Sequence, residues 1–194
     1  METGATTRAD EQQVTAWALA ARDGDQHAAA AFVRATQGQL VRMLAHLSDV
    51  RSADDLAQET YLRAFRNLHT FATQSTARTW LLAIARRVAA DHLRTAARRP
   101  RTAPAGDWLD TERAGSHPPT RPGPEEGVVL RELLGQLDPD RREAFVLTQV
   151  VGLSYAEAAG VADCPVGTIR SRVARAREDL VRMVYAADTG VASG

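Results

Sequence analysis

Residues 154–177, SYAEAAGVADCPVGTIRSRVARAR, decide how this chain reads, because they lay out two short helices around a tight turn with arginines crowded into the second. Ser154 and Glu157 stand at the S-x-x-E spacing of a capping box, in which hydroxyl and carboxylate each satisfy a backbone N–H at the helix start. Ala156, Ala158 and Ala159 are small enough for a second helix to cross closely. Asp163, Cys164 and Pro165 then break the chain, and Pro165 leaves Val166 to open the next helix. In that second helix Val166, Ile169, Val173, Ala176 and Leu180 recur at helical spacing and are expected to face a core. Thr168, Ser171, Arg172 and Arg175 fall on the opposite side, flanked by Arg170 and Arg177. Hydroxyls and guanidiniums over two turns suit the major groove of DNA, where arginine grips guanine through two hydrogen bonds and threonine touches the thymine methyl. The plainer alternative is an arginine-rich surface helix, since arginine supplies all 24 Lys+Arg residues of the chain. Glu178 and Asp179 end the basic face.

At 194 residues the chain has room for one large or two small domains. Aromatic residues make up only 5% and alanine is abundant, which favours close-packed helices over sheets, so the expected fold class is all-α. Formal net charge is zero, which excludes a nonspecific polycationic nucleic-acid coat and requires positive charge to act locally. A single cysteine, Cys164, excludes an internal disulfide and a cysteine-cluster metal site, and reads as a small hydrophobe in the turn. No apolar stretch approaches the roughly 18 residues of a membrane span, and no signal pattern opens the chain, so the expected location is the cytosol without membrane insertion.

Between residues 99 and 127 helical periodicity gives way to a tether containing Pro100, Pro104, Pro118, Pro119, Pro122 and Pro124. Its length argues for two domains, 10–98 and 128–185. It reads either as a plain spacer or, through Trp108 and Leu109 amid Asp107 and Asp110, as a segment that docks.

Within the first domain an opening helix runs through Val14, Trp17 and Ala18, and a turn at Asp23, Gly24 and Asp25 leads to a second through Phe32, Leu40 and Leu44. Ser52 and Asp55 are expected to cap a third, ADDLAQETYLRAFRNL. Ala57, Tyr61, Ala64, Phe65 and Leu68 form its apolar stripe; Asp55, Gln58, Glu59, Leu62 and Arg66 line the other face. That face is either solvated or, given Leu62 in its middle, a protein-docking surface. A fourth helix begins near Thr79, with Leu81, Ile84, Ala85, Val88 and His92 inward and Arg86, Arg87, Arg94 and Arg98 exposed. Seven arginines against one acid, Asp91, fall between residues 78 and 101, a stripe suited to phosphate. The loop ahead of it, FATQSTART, offers Thr73, Gln74, Ser75 and Thr76 for hydrogen bonds to an unstacked base. Trp80 reads as the core anchor of the helix start before it reads as a stacking platform.

These segments, in this order around a linker, resemble the extracytoplasmic-function (ECF) sigma factors, specificity subunits of bacterial RNA polymerase. The resemblance rests on DDLAQETYLRAFRNL, on TWLLAIARRVAADHLR and on the closing LDPDRREAFVLTQVVGLSYAEAAGVADCPVGTIRSRVARARE, and covers nearly the whole chain. It implies that 10–98 is sigma region two and 128–185 sigma region four, with Asp138 and Pro139 starting a supporting helix. Asp55, Gln58, Glu59, Leu62 and Arg66 would then dock on the clamp helices of polymerase β′, while region four would meet the β flap. Thr73, Gln74, Ser75 and Thr76 would capture a flipped base of the minus-ten element, helped by Arg86, Arg87 and Arg94 on the melting helix. Thr168, Arg170, Ser171, Arg172 and Arg175 would read the minus-thirty-five element. The resemblance further implies promoter DNA and an anti-sigma factor as partners. Arg87 and Ala174 depart from residues many members carry there, so neither element can be copied from relatives.

Core polymerase would hold two weak DNA contacts at a fixed separation and make them one avid interaction, with no covalent step in this subunit and no cofactor or metal. Unpairing costs a few kcal/mol, offset by the pocket only for the correct base. The alternative is a dimeric helix-turn-helix regulator binding an operator, which would need a dimer surface and an effector pocket. A helical metalloenzyme would want Glu-x-x-His pairs, and His27, His46, His69, His92 and His117 offer none.

Overall fold

The computed structural model describes residues 3–98 and 124–191, and the side chains of 10–98 and 129–186. Among these residues there is no strand, as the alanine-rich, aromatic-poor composition dictates. The first half comprises α1 (Thr3–Arg22), α2 (Gln26–Leu47), α3 (Ala53–Arg66) and α4 (Ala77–Arg98). The second comprises α5 (Pro124–Gly135), α6 (Pro139–Phe145), a π-helical turn (Val146–Val150), α7 (Tyr155–Ala162) and α8 (Val166–Val191). The tether read at 99–127 lies outside the described residues up to 123, Trp108 and Leu109 with it; α5 begins at Pro124.

In the first half Gly24, at φ +100°, reverses the chain where a side chain would be strained, and Asp25 caps α2 by accepting from the N–H groups of His27 and Ala28 at 2.8 and 3.0 Å. Val14, Ala18, Phe32, Leu40, Leu44, Leu81 and Leu82 fill the core. Trp80 is half-buried with its ring 5.2 Å from that of Phe71, so it anchors the start of α4. Arg78 is almost covered and ties three helices together, pairing with Asp10 and Glu11 of α1 and donating to Gln39 Oε1 of α2.

Two expectations for α3 fail locally. Ser52 makes no side-chain cap: its hydroxyl and N–H both donate to Asp49, at 2.9 and 2.8 Å, so the preceding turn claims it. Phe65 is partly exposed, edge-on to Phe32 and stacked on Tyr61, because Leu56 and Thr60 take the buried positions. Thr60 can lie there because its hydroxyl donates to the Leu56 carbonyl within the helix. His92 is likewise only half-buried, 3.7 Å from an Asp49 oxygen.

In the second half Asp138 caps α6, accepting from the N–H groups of Asp140 and Arg141. The helix then widens: the Val151 N–H reaches back five residues to the Val146 carbonyl at 2.9 Å. Both halves of the Ser154–Glu157 capping box form at the start of α7. Asp163 ends α7 in the left-handed conformation at φ +52°, and α8 opens at Val166 directly after Pro165. Ile169, Val173 and Ala176 are buried, and Leu180 is half-buried against the same core. Val166, the first residue of α8, is exposed instead.

The two halves pack on each other, α7 against α4 and the π turn against α2, and their buried residues form one continuous cluster. Gln39 Nε2 donates to the Val151 carbonyl across the seam at 2.8 Å.

Candidate nucleic-acid and polymerase interfaces

Three surfaces carry the residues singled out in the sequence. On α8, Arg170, Ser171 and Arg175 are exposed, opposite buried Ile169, Val173 and Ala176. Thr168 is half-buried and its carbonyl accepts from the Ser171 hydroxyl at 3.0 Å. Arg172, expected on the free face, is instead half-buried, ion-paired with Asp140 of α6 and 3.9 Å from Cys164 Sγ. Its place on the helix turns it toward α6, where the Asp140 carboxylate meets it. Arg177 donates to Gln149 at 2.9 Å, and Arg141 holds Asp179 below the usual carboxylate range, with Arg182 assisting against the effect of burial. The arginines beyond Arg175 therefore brace α8, and the reading face is narrow.

The loop before α4 leaves Thr73, Gln74 and Ser75 exposed. Thr73 has φ +55°, a left-handed conformation that a β-branched residue adopts only under strain. Thr76 is spoken for as the cap of α4: its hydroxyl accepts from the Thr79 N–H at 3.2 Å and contacts the Thr79 hydroxyl at 3.0 Å. Along α4, Arg87 and Arg94 are exposed, Arg94 pairing with Asp91. Arg86 corrects the expectation of a free arginine, since both its Nε and Nη2 donate to the Glu143 carboxylate of α6. Its side chain keeps 33% of its exposure and that of Glu143 only 13%. That hydrogen bonding raises the Arg86 pKa despite partial burial.

On α3, Asp55, Gln58, Leu62 and Arg66 are exposed together on one face, and Leu62 keeps 52% of its accessible area. Glu59 is half-buried and paired with Arg63 at 2.7 Å, which also reaches Asp91 of α4 at 2.9 Å. The Gln39, Asp140 and Glu143 contacts carry no local sequence signal. Glu143 is one acid among the charges of DRREAF, and only tertiary packing brings Arg86 to it across 57 positions of chain.

A helix-turn-helix packed on an arginine-faced helical bundle is the build of a two-domain sigma-70-type promoter reader. "Sigma-70 region 2" matches residues 32–99 and "Sigma-70, region 4" matches 128–180. The ECF RNA polymerase sigma factor SigC of Mycobacterium tuberculosis is 51% identical over 178 residues, covering 90% of this chain and 93% of its own. The ECF RNA polymerase sigma-E factor of Haemophilus influenzae is 34% identical, covering 86% and 94%. Among solved structures, CnrH in complex with the cytosolic domain of CnrY superposes with a TM-score of 0.71 at 26% identity, over 90% of this chain and 98% of that one. RpoE of Bartonella quintana, bound to the anti-sigma factor NepR, gives 0.62 at 26% identity, over 79% and 94%. The chain belongs to the extracytoplasmic-function family of RNA polymerase sigma factors. It directs promoter-specific initiation of transcription as a subunit that joins core RNA polymerase. No helix among the described residues is long and apolar enough to cross a membrane.

Proposed function

We propose that the promoter is read at two places by the residues named above. Arg170, Ser171 and Arg175 read the minus-thirty-five element in the major groove, with Thr168 at the edge and Arg172 positioned by Asp140. Thr73, Gln74 and Ser75 receive a flipped base of the minus-ten element on a loop whose backbone is already strained open, with Thr76 fixing its exit into α4. Arg86, Arg87 and Arg94 then neutralise phosphates of the melted strand. Asp55, Gln58, Leu62 and Arg66 dock on the β′ clamp helices, with Glu59 held behind them by Arg63, and region four meets the β flap. The observation that carries this division is the exposure of Arg170, Ser171 and Arg175 on a helix whose opposite side buries Ile169, Val173 and Ala176.

In the free chain Glu143 occupies Arg86 and α7 covers part of α4, so promoter contact through both regions requires the halves to part. Polymerase would supply that separation, which makes the free subunit a weak promoter binder. The subunit contributes binding free energy and no covalent chemistry, and acts in the cytosol. An anti-sigma factor is a further proposed partner, by analogy with NepR on the Bartonella relative.

The test is transcription from a library of promoter-length duplexes by core polymerase with and without the chain. Defined starts only when both are present, with upstream sequences that change on Arg175→Ala, support the reading. Duplex binding by the chain alone, without association to core, would replace it with the operator-binding alternative.

A further inference from the structure

Where α4 faces α6, the seam leaves a cleft of about 340 Å³ lined by Arg86, Arg87, Arg94 and Arg142 with Asp140 and Glu143. Four guanidiniums against two carboxylates leave its walls with an excess of two positive charges. The internal pairings do not remove that excess. Arg86 is taken by Glu143, Arg94 by Asp91 outside the cleft, and Asp140 by Arg172. Arg87 and Arg142 have no ion pair or side-chain hydrogen bond among the described residues. One comes from region two and the other from region four, so a ligand holding both exists only on the closed arrangement. Buried Leu47 and Ala89 and the more exposed Leu93 add apolar lining to the cleft.

We infer that this cleft binds one small diphosphate-bearing molecule, which bridges Arg87 and Arg142 and holds the two domains together. Guanidinium forks match phosphate oxygens two at a time, and two forks facing one space suit two linked phosphates better than one. The volume lies in the range of small-ligand sites, and apolar lining beside the guanidiniums would take the flat, uncharged part of a nucleotide. Because the ligand binds the closed form and not the parted one, it would raise the threshold for polymerase capture in proportion to its concentration over its Kd. The inference rests on the closed seam in the proposed function, and not on which bases the arginines read.

The experiment is isothermal titration of the full chain, without polymerase or DNA, with inorganic pyrophosphate and separately with ADP at fixed ionic strength. Saturable binding of one molecule per chain is expected, weakened about tenfold or more by Arg142→Gln, since hydrogen bonds to a charged group are lost. Arg34→Gln, an exposed arginine on α2 away from the cleft, should leave it unchanged. Should Arg142→Gln fail to fold by circular dichroism, Arg87→Gln, at an exposed position, must show the same loss. ADP tighter than pyrophosphate assigns the apolar lining to the base, and equal affinity makes the inorganic diphosphate sufficient; both support the site. Heats that do not saturate, another stoichiometry, or equal losses in Arg34→Gln and the cleft variants overturn it. Because no promoter enters the assay, failure here leaves the sigma factor reading standing.

Discussion

Replacing Glu143 by glutamine perturbs the seam with almost no change of shape. The native carboxylate accepts two hydrogen bonds from Arg86 and is itself largely covered. Hydrogen bonds to charged groups are worth roughly 1.5–3 kcal/mol, but the Arg86 side chain keeps 33% of its exposure and solvent screens the pair. Glutamine also retains one acceptor. The net loss should therefore be about 1 kcal/mol, which shifts the ratio of open to closed chain about fivefold. Energy transfer between dyes at the exposed positions Asp54 on α3 and Ala174 on α8, in a Cys164→Ser background, reads that ratio. The Glu143→Gln chain should show lower transfer than its parent at 50 mM salt, and raising salt should shift the parent toward it. The same variant should bind a single-stranded minus-ten oligonucleotide about fivefold more tightly without polymerase. Identical transfer in parent and variant at every salt concentration would refute the assignment of the seam to this pair.

Leu62→Arg should cost the fold less than about 0.5 kcal/mol because the side chain is more than half exposed, yet weaken core polymerase binding on the order of 100-fold by placing an unpaired guanidinium in the interface; a folded variant that competes normally for core removes α3 from the docking surface. Thr73→Gly relieves left-handed strain at φ +55° and, after the entropy glycine loses, should stabilise the fold by about 0.5 kcal/mol while slowing open-complex formation. A lower melting temperature would show that the loop is not strained. His46 is pushed below the ordinary imidazole pKa by burial and then by repulsion from Arg131 and Arg42, so the fold keeps it neutral while the unfolded chain takes up the proton. Stability from this group is complete above about pH 6.5 and falls as pH drops toward the folded-state value. Urea melts should lose that slope in His46→Gln; equal slopes in both chains would remove His46 as its source.

Local chemistry made much of this architecture legible before any coordinate. The capping box at Ser154 and Glu157, the break at Pro165 and the spacing of Ile169, Val173 and Ala176 depend on residues a few positions apart, and each formed as read. Errors fell where a nearby competitor or a distant partner decides. Asp49 took the Ser52 hydroxyl from α3, and Val166, at the first position of α8, stays exposed although its spacing matches the core residues. Arg86 and Arg172 were legible as cations on helix faces, but their acids lie 57 and 32 positions away, beyond the reach of helical periodicity. The exposed faces of α3 and α8 were legible because amphipathicity reports burial directly. The seam was not, because α4 and α7 each bury small apolar residues, Ala85 and Ala89 on one and Ala158 and Ala159 on the other, and such residues read as ordinary core whichever helix covers them.

The wide turn at Val146–Val150 has a consequence for how the promoter is addressed. Each residue of an α-helix advances the chain by about 100° and 1.5 Å. The Val151 N–H reaching back to the Val146 carbonyl means that one more residue is packed into this turn than an α-helix would hold. That turn absorbs the extra residue, so the helix beyond it keeps nearly the direction it would have had without it, and α8 takes its own bearing from packing on α6 and α7. Deleting one residue between 146 and 150 would let the helix close to α geometry and leave the arginines of α8 facing as before, while thinning a segment whose Val146, Leu147 and Thr148 are buried. The compass bearing of the reading helix is thus set by what it packs against and not by residue count.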